Sequence, residues 1–246
     1  MTANMRLSSK DVSLTITFTA LYVVLGFIKI SPMIGLPGSA ITAAAIIAPL
    51  IGIILGPYLG TLSTFLGGVV GLFFGSFIPP NIASGIATTL CSGLIRKNKR
   101  TIAAFLYATL LLFLAFYPTI GGAWLYPAYL WFQIIGLVVL VSPLQSVAVK
   151  HLEYGNSSKL LPSFFVTCLV STLAGQIAGS LTLEAILTPN VVYWLGIWQT
   201  TVFLYPVERV VIAVFSSIIG FSLYQVLGPA RFMLVLNRIG PREKFP

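Results

Sequence analysis

The chain has 246 residues, of which 57% are hydrophobic and only 8% are charged. A soluble domain carries about a quarter charged residues, so this composition excludes an ordinary soluble protein and predicts a membrane protein. The net charge is +9, which in a soluble protein would suggest a nucleic-acid partner. In a membrane protein the positions of the basic residues matter more than their sum. We therefore expect a lipid bilayer as the surroundings, multi-pass insertion in the plasma membrane, and no nucleic-acid partner.

The apolar N-terminal stretch is long enough to span a bilayer and lacks a clear small-x-small cleavage site, so we predict a retained first helix. No charged residue occurs between Lys29 and Arg96, and Gly/Pro turn signals divide this interval. Pro206 is predicted to be the first residue of the last helix, a position that proline favours. The sequence thus predicts an all-α bundle of six to eight transmembrane helices, with spans at 12–30, 38–56, 58–77, 80–95, 101–118, 124–148, 161–182 and 206–228.

Basic residues are sorted to one side of this predicted topology. With the N-terminus inside and eight spans, all 14 Lys and Arg residues except Lys29 and Arg209 fall in inside segments. Short cytoplasmic loops of membrane proteins carry such an excess. We therefore expect both termini to be cytoplasmic, a single transmembrane domain over 1–246, and a basic cytoplasmic tail over 229–246.

Small residues recur at a helical spacing in "GPYLGTLSTFLGG", where Gly56, Gly60, Thr64 and Gly68 lie four apart. Residues four apart share one helix face, and small faces let helices approach closely inside a membrane. Gly56 and Pro57 should interrupt the helix, which predicts two short helices joined by a tight turn and packed through these faces. The pattern fits ordinary bundle packing and also a face that slides against a partner subunit, and the sequence leaves both open.

Polar and ionisable residues are costly inside a membrane, so each is a candidate functional residue. Arg209 could bind a substrate carboxylate or phosphate through two parallel hydrogen bonds, and Glu208 in a first helical turn suits the helix dipole. Aromatic residues crowd the predicted outer side, as either an interfacial belt or a stacking pocket for a flat ligand. Lone amides and Lys29 also have structural explanations, as interhelical bonds and interface snorkelling. The candidate substrate-binding residues are Lys29, Asn81, Trp124, Gln176, Glu184, Tyr193, Trp198, Gln199, Glu208 and Arg209.

Signatures of enzymes are missing from the sequence. The single histidine, His151, lies in a predicted cytoplasmic loop away from any nucleophile. No His/Asp/Glu cluster suggests a metal site, and no glycine-rich loop with a phosphate-binding lysine would let the chain hydrolyse ATP. We therefore expect a transport protein that is not an enzyme and that has no cofactor and no bound metal.

Two stretches resemble a known family. The run "LTITFTALYVVLGFIKISPMIGLPGSAITAAAIIAPLIGIILGPYLGTLSTFLGGVVGLFFGSFIPPNIASGIATTLCSGLIRKNKR" has a threonine-bearing first helix, a Gly/Pro loop, a short second helix, a glycine-rich third helix and a fourth helix with a basic end. This layout resembles the substrate-binding S components of energy-coupling factor (ECF) vitamin transporters. The last span, "YPVERVVIAVFSSIIGFSLYQVL", is similar to the final helix of that family. The resemblance covers about 10–100 and 160–228.

The resemblance implies a subunit that captures a vitamin-like small molecule at its outer face and works with a transmembrane coupling subunit and a pair of ATPases. It also implies that the loop 30–38 is a gate. Two features depart from the family. Its members have six helices, so 101–148 would be an inserted pair or one span divided too finely, and its first helix often carries alanines four apart, where this chain has only Ala20.

The expected function is therefore substrate binding for uptake, with a flat, uncharged or weakly acidic ligand and with energy supplied by other subunits. The alternatives are a self-contained secondary transporter, and a membrane enzyme or assembly factor.

Overall fold

The computed structural model describes residues 8–116, 125–154, 157–187 and 191–238. Within these ranges the fold is all-helical, with one small β-hairpin, which confirms the all-α class. The helices are α1 (Ser9–Gly26), α2 (Ala44–Phe73), α3 (Pro79–Arg96), α4 (Arg100–Phe116), α5 (Trp131–Val141), α6 (Pro143–Tyr154), α7 (Ser157–Ile186) and α8 (Val191–Arg238). The hairpin consists of β1 (Lys29–Pro32) and β2 (Ala40–Thr42), and a 3₁₀ turn (Pro127–Leu130) precedes α5.

The connection between α1 and α2 differs from the prediction. We expected spans at 12–30 and 38–56, but α1 ends at Gly26 and α2 begins at Ala44. Residues between them form the antiparallel pair β1–β2. Gly35 and Gly38 have φ angles of 89° and 84°, which glycine adopts without strain, so the chain turns sharply here and its backbone pairs with itself instead of continuing either helix.

The helix α2 is bent back on itself at Gly56, as the sequence predicts. Gly56 has φ 77° and ψ −179°, far from helical values, and Pro57 has no N–H to continue the helix. A Cβ atom on Gly60 would lie 3.1 Å from the carbonyl oxygen of Ile51, whereas residues nine apart in a straight helix are separated by about 13 Å. The two halves of α2, 44–55 and 57–73, are therefore antiparallel and closely packed.

Small residues of α2 are used inside the chain, against α3. A Cβ on Gly52 would lie 2.2 Å from the carbonyl oxygen of Thr89, and one on Gly93 would lie 2.5 Å from the nitrogen of Pro57. One turn before Gly52, the carbonyl of Ala48 accepts a hydrogen bond of 3.2 Å from the Thr89 hydroxyl. The small-residue spacing therefore serves packing within the bundle at these positions.

Contacts between helices fix their directions. Thr19 Oγ1 and Ser63 Oγ are 3.0 Å apart, and Gly67 lies against Tyr22, so α1 runs parallel to the second half of α2. Ser216 donates to the carbonyl of Ile46 at 2.6 Å, and Gly220 packs against Leu50, so α8 runs parallel to the first half of α2.

These directions place the start of α1 and residue 226 of α8 at one end of the bundle. We call it the basic end, because it carries the run 96–100, "RKNKR". The hairpin β1–β2, the start of α3 and the start of α8 lie at the opposite end, which we call the cavity end.

The span predicted at 124–148 is not one helix. The chain forms the 3₁₀ turn, then α5, then α6, with a bend of 63° at the break between α5 and α6. Arg100 donates to the carbonyl of Ser142 at 3.2 Å and to the hydroxyl of Ser146. A cation at the end of a helix satisfies carbonyls that have no partner within the helix, and Pro143 starts the next helix after the break.

The prediction that Pro206 begins the last helix is wrong, because α8 runs without interruption from Val191. A proline inside a helix leaves the carbonyl four residues earlier without its N–H donor. Here that carbonyl belongs to Val202, and it accepts a hydrogen bond of 3.0 Å from Trp131 Nε1. A side chain from α5 thus replaces the bond that Pro206 removes, so the helix continues through the proline and on into the segment expected as a tail.

By length and composition, three of the described helices are long and apolar enough to cross a membrane: α2, residues Ser158–Ile186 of α7, and residues Val191–Val226 of α8. The length of α2 is divided between its two antiparallel halves. The bent pair α5 and α6 gives a fourth if it counts as one span. The fold is therefore that of a membrane protein with three to four candidate spanning helices.

Candidate ligand-binding site

A cavity lies at the cavity end of the bundle, between the hairpin, the first half of α2, α3, α7 and α8. The cavity volume open to water is about 60 Å³, which is enough for about four water molecules at roughly 15 Å³ each. Its wall is built from residues of α1, the hairpin, the first half of α2, α3 with the preceding Phe77, α7 and α8. The cavity is therefore a product of the whole bundle, as small-molecule sites between helices commonly are.

Arg209 is the only charged residue among the described residues that line the cavity. It is 5% exposed, and its Nη2 atom lies 3.2 Å from Glu208 Oε1. Neighbouring residues on a helix do not face each other, so Glu208 engages only one nitrogen of the guanidinium. Arg209 Nε and Glu208 Oε2 have no partner among the described residues. The cavity wall thus contains a buried cation with hydrogen-bonding capacity to spare, which suits a carboxylate or phosphate.

Uncharged hydrogen-bonding groups cover much of the remaining wall. Gln176 is 5% exposed, and its Oε1 atom has no partner in the described ranges. The hydroxyl groups of four more lining residues make no hydrogen bond to another described residue: Tyr22, Thr42, Ser84 and Thr88. Buried polar groups are normally hydrogen-bonded, so these groups are available to water or to a ligand.

The hairpin loop covers the cavity. Met33 lines it, and the carbonyl of Gly35 accepts a hydrogen bond of 2.9 Å from the Tyr193 hydroxyl. On the other side, the amide of Asn81 donates to the carbonyl of Ala40 at 3.2 Å. A Cβ on Gly35 would lie 2.8 Å from Ile197 Cδ1. The segment 30–38 is therefore held against α8 while the hairpin is held against α3.

The buried tryptophans of α8 stack on each other beside the cavity. The rings of Trp194 and Trp198 are 6.2 Å apart with an interplanar angle of 27°, and Tyr129 lies 6.1 Å from Trp198. None of these three lines the cavity. The rings that do are Tyr205 and the stacked pair Tyr22 and Phe77, whose centroids are 5.0 Å apart.

The structure brings some of the predicted binding residues together and leaves others apart. Asn81, Gln176 and Arg209 line the cavity, Glu208 pairs with Arg209, and Tyr193 holds the loop. Glu184 and Trp198 are buried next to the cavity without lining it. Lys29 and Gln199 are exposed and lie outside the cavity, so the structure does not bring them together with Arg209. Trp124 lies outside the described residues.

Sequence reasoning missed the lining residues Tyr22, Phe77 and Tyr205. For Tyr205 a signal existed. If the last helix begins near 191, then Trp194, Trp198, Tyr205 and Arg209 follow at intervals of four, seven and four, which is the spacing of one helix face. Starting the helix at Pro206 removed that periodicity and left Gln199 among the candidates.

Chemically, the arrangement is suited to binding. It combines one buried guanidinium, several free hydroxyl and amide groups and a covering loop. Across the described ranges no group of three or more His, Cys, Asp or Glu residues could hold a metal ion. No family model, no curated protein and no solved structure matches this chain.

Proposed function

We propose that the chain is the membrane-embedded substrate-binding subunit of an uptake system for a vitamin-like small molecule, energised by a separate transmembrane coupling subunit and a pair of ATPases. The observation that carries this proposal is the covered polar cavity with the buried Arg209 at its wall. The positive-inside rule would put the basic end in the cytoplasm. The cavity would then open to the outside, where a substrate for uptake is captured.

The chemistry of the wall narrows the class of ligand. Arg209 favours a molecule with one carboxylate or phosphate group, and the free hydroxyl groups and Gln176 favour one with several hydrogen-bonding atoms. The stacked pair Tyr22 and Phe77 offers an apolar border for a flat ring. The present cavity holds only a few waters, so binding such a molecule requires the hairpin loop to move.

Separate energy-supplying subunits are part of the proposal because the sequence contains no phosphate-binding lysine loop of its own. Native mass spectrometry of the chain extracted from its own membranes tests this directly. We expect a co-purifying small molecule together with a coupling subunit and ATPases. Recovery of the chain with its ligand and with no such subunits under mild extraction would contradict the assignment as a subunit of a larger transporter.

The role of Arg209 is tested by the amount of small molecule that remains bound to purified variants. Arg209→Ala should reduce occupancy by more than tenfold, since a charge-assisted pair contributes about 1.5–3 kcal/mol, and Arg209→Lys should retain part of it. Gln199→Ala is the matched control, because Gln199 lies on the same helix but is exposed and outside the cavity. Unchanged occupancy in a folded Arg209→Ala protein would show that the cavity is not the binding site.

A self-contained secondary transporter is the second candidate, and one observation favours it. Glu184 is a buried carboxylate without a hydrogen-bond partner in the described residues, and such residues commonly mark ion or proton pathways in membranes. Uptake of the co-purifying molecule by liposomes that contain only this chain, driven by a proton or sodium gradient, would favour this candidate over the first.

A further inference from the structure

Glu184 is the most deeply buried acidic side chain in the described part of the protein. It is 1% exposed, and neither of its carboxylate oxygens makes a hydrogen bond of normal length and angle. The indole of Trp198 interacts with the carboxylate without making such a hydrogen bond. A buried ionised carboxylate without a partner is very costly, so a positive charge is needed beside it or on it.

The position of Glu184 connects it to the cavity. Gln176, Ser180 and Glu184 lie four apart on α7 and share one helix face. The first two line the cavity, and Glu184 lies one turn beyond them. Ser180 is 3.2 Å from the hydroxyl of Tyr129, which is itself within electrostatic range of Glu184 and Arg209. A row of polar groups thus leads from the cavity to the buried carboxylate.

Among the described residues, no positive charge is in contact with Glu184. The 3₁₀ turn contributes the phenol of Tyr129 and α8 contributes the indole of Trp198. Further along α8 lie Tyr205 and the pair Glu208–Arg209. The nearest cation on these elements, Arg209, is paired with Glu208. The hairpin loop contributes only uncharged residues between Ile30 and Ile41, and Lys29 is exposed. Trp194 Nε1 also lacks an acceptor in the described ranges. Among the described residues, no cation pairs with the Glu184 carboxylate and no hydrogen bond satisfies it.

We propose that Glu184 is a binding site for a small monovalent cation, a proton or a sodium ion, at its buried position beside Tyr129, Ser180 and Trp198. Tyr129, Trp194 and Trp198 are all nearly fully buried, so the carboxylate is shielded from the surroundings of the protein. A proton satisfies the carboxylate directly, and a sodium ion would take oxygen ligands from Glu184, Tyr129 and Ser180. The site does not depend on the proposed function, since a binding subunit and a secondary transporter can both carry it.

The test uses the full chain in lipid nanodiscs, with protons and sodium ions as the probes. Intrinsic tryptophan fluorescence is recorded against pH, and against NaCl with choline chloride as the matched salt, because Trp194 and Trp198 are buried beside Glu184. We expect one transition that Glu184→Gln abolishes and Glu208→Gln leaves in place. If the midpoint of the pH transition shifts when NaCl is added but not when choline chloride is added, the bound cation is sodium. If neither salt shifts this midpoint, the bound cation is the proton.

Infrared spectroscopy keeps the proposal testable if Glu184→Gln does not fold. In the wild-type protein, the carbonyl stretch of a protonated carboxyl group should disappear through the same transition, and it should shift when glutamate is labelled with ¹³C. Glu184→Asp should move the midpoint without abolishing it. A fluorescence transition that persists in folded Glu184→Gln, or a wild-type protein that responds to neither probe, would overturn the proposal.

Discussion

The contact of α2 with α3 and the contact of α7 with α8 around the cavity are built on opposite principles. In the first, glycines bring backbones together, and hydroxyl groups such as those of Thr89 and Ser92 donate to nearby carbonyls. In the second, bulky side chains such as Trp198 lie beside α7, and Gln176, Glu184 and Arg209 keep atoms without partners in the described ranges.

This difference shows how the protein separates stability from binding. Lipid offers no hydrophobic drive for helix association, so close backbone approach has to stabilise the bundle. Because α2 and α3 supply that approach, the cavity end can leave polar groups unpaired and ready for a ligand or a cation. Substitutions at the α2–α3 contact should therefore change stability, and those at the cavity end should mainly change binding and local opening.

The largest effect is expected for Gly93→Ala. The added Cβ would lie 2.5–2.7 Å from backbone atoms of Gly56 and Pro57, and backbone atoms cannot turn away as a flexible side chain can. We expect a loss of about 3 kcal/mol, the upper part of the usual range for overpacking, measured by thermal unfolding in nanodiscs followed by circular dichroism. The control is Gly196→Ala, where nothing lies within 4 Å of the new Cβ. Equal melting temperatures for the two variants would refute the close contact.

An intermediate effect is expected for Trp131→Phe, which leaves the Val202 carbonyl without its donor. Loss of a partner for a buried polar group costs about 1–3 kcal/mol. In the Pro206→Ala background the helix regains its own N–H, so Trp131→Phe should cost less there than in the wild type. The difference between these two costs is the interaction energy of a double-mutant cycle of unfolding free energies, and it measures the hydrogen bond from Trp131 to the Val202 carbonyl. An interaction energy of zero would show that Trp131 does not replace the bond that Pro206 removes.

The smallest effect is expected for Tyr193→Phe, which keeps the ring but removes the hydrogen bond to the Gly35 carbonyl. One hydrogen bond contributes about 1 kcal/mol, equivalent to roughly fivefold in a local equilibrium. Amide hydrogen exchange in the segment 33–39 should accelerate by about that factor while global stability stays nearly unchanged. Tyr58→Phe serves as the control, since Tyr58 is exposed on α2 at the basic end. Equal exchange in both variants would mean that Tyr193 does not hold the loop.

Local signals made part of the fold predictable. The break at Gly56 and Pro57 follows from backbone chemistry within two residues, and the structure has it at that position. The hairpin was not predictable in the same way, because apolar residues of the segment 38–43 suit a membrane helix and a strand equally well. The start of the last helix was wrongly predicted at Pro206, because Trp131 replaces the hydrogen bond that the proline removes. Trp131 lies 75 positions earlier in the chain, so the sequence near Pro206 does not indicate this partner.

The sequence predicts the kinds of polar residue at the candidate site, but not which residues of the chain line it. Arg209, Gln176 and Asn81 stand out as polar residues in apolar surroundings, and they do line the cavity. Tyr22 lies on a helix whose aromatic and apolar residues all look alike in sequence. Its position at the cavity depends on contacts with Phe77 and Gly85, which are more than 50 residues away in the chain. Lys29 and Gln199 stand out just as much as Arg209, but composition does not reveal which face of a helix or strand meets the interior.

The shortness of the first half of α2 makes the protein responsive to the thickness of its membrane. Residues 44–55 extend over about 18 Å at a rise of about 1.5 Å per residue, while the hydrocarbon layer of a typical bilayer measures about 30 Å. The Lys97 side chain lies close to Gly56 at the turn, and a lysine there can extend its ammonium group towards the headgroups. Such a mismatch is relieved where the acyl chains are short. The hydrophobic mismatch at this turn should therefore cost less free energy in lipids with short acyl chains than in lipids with long ones.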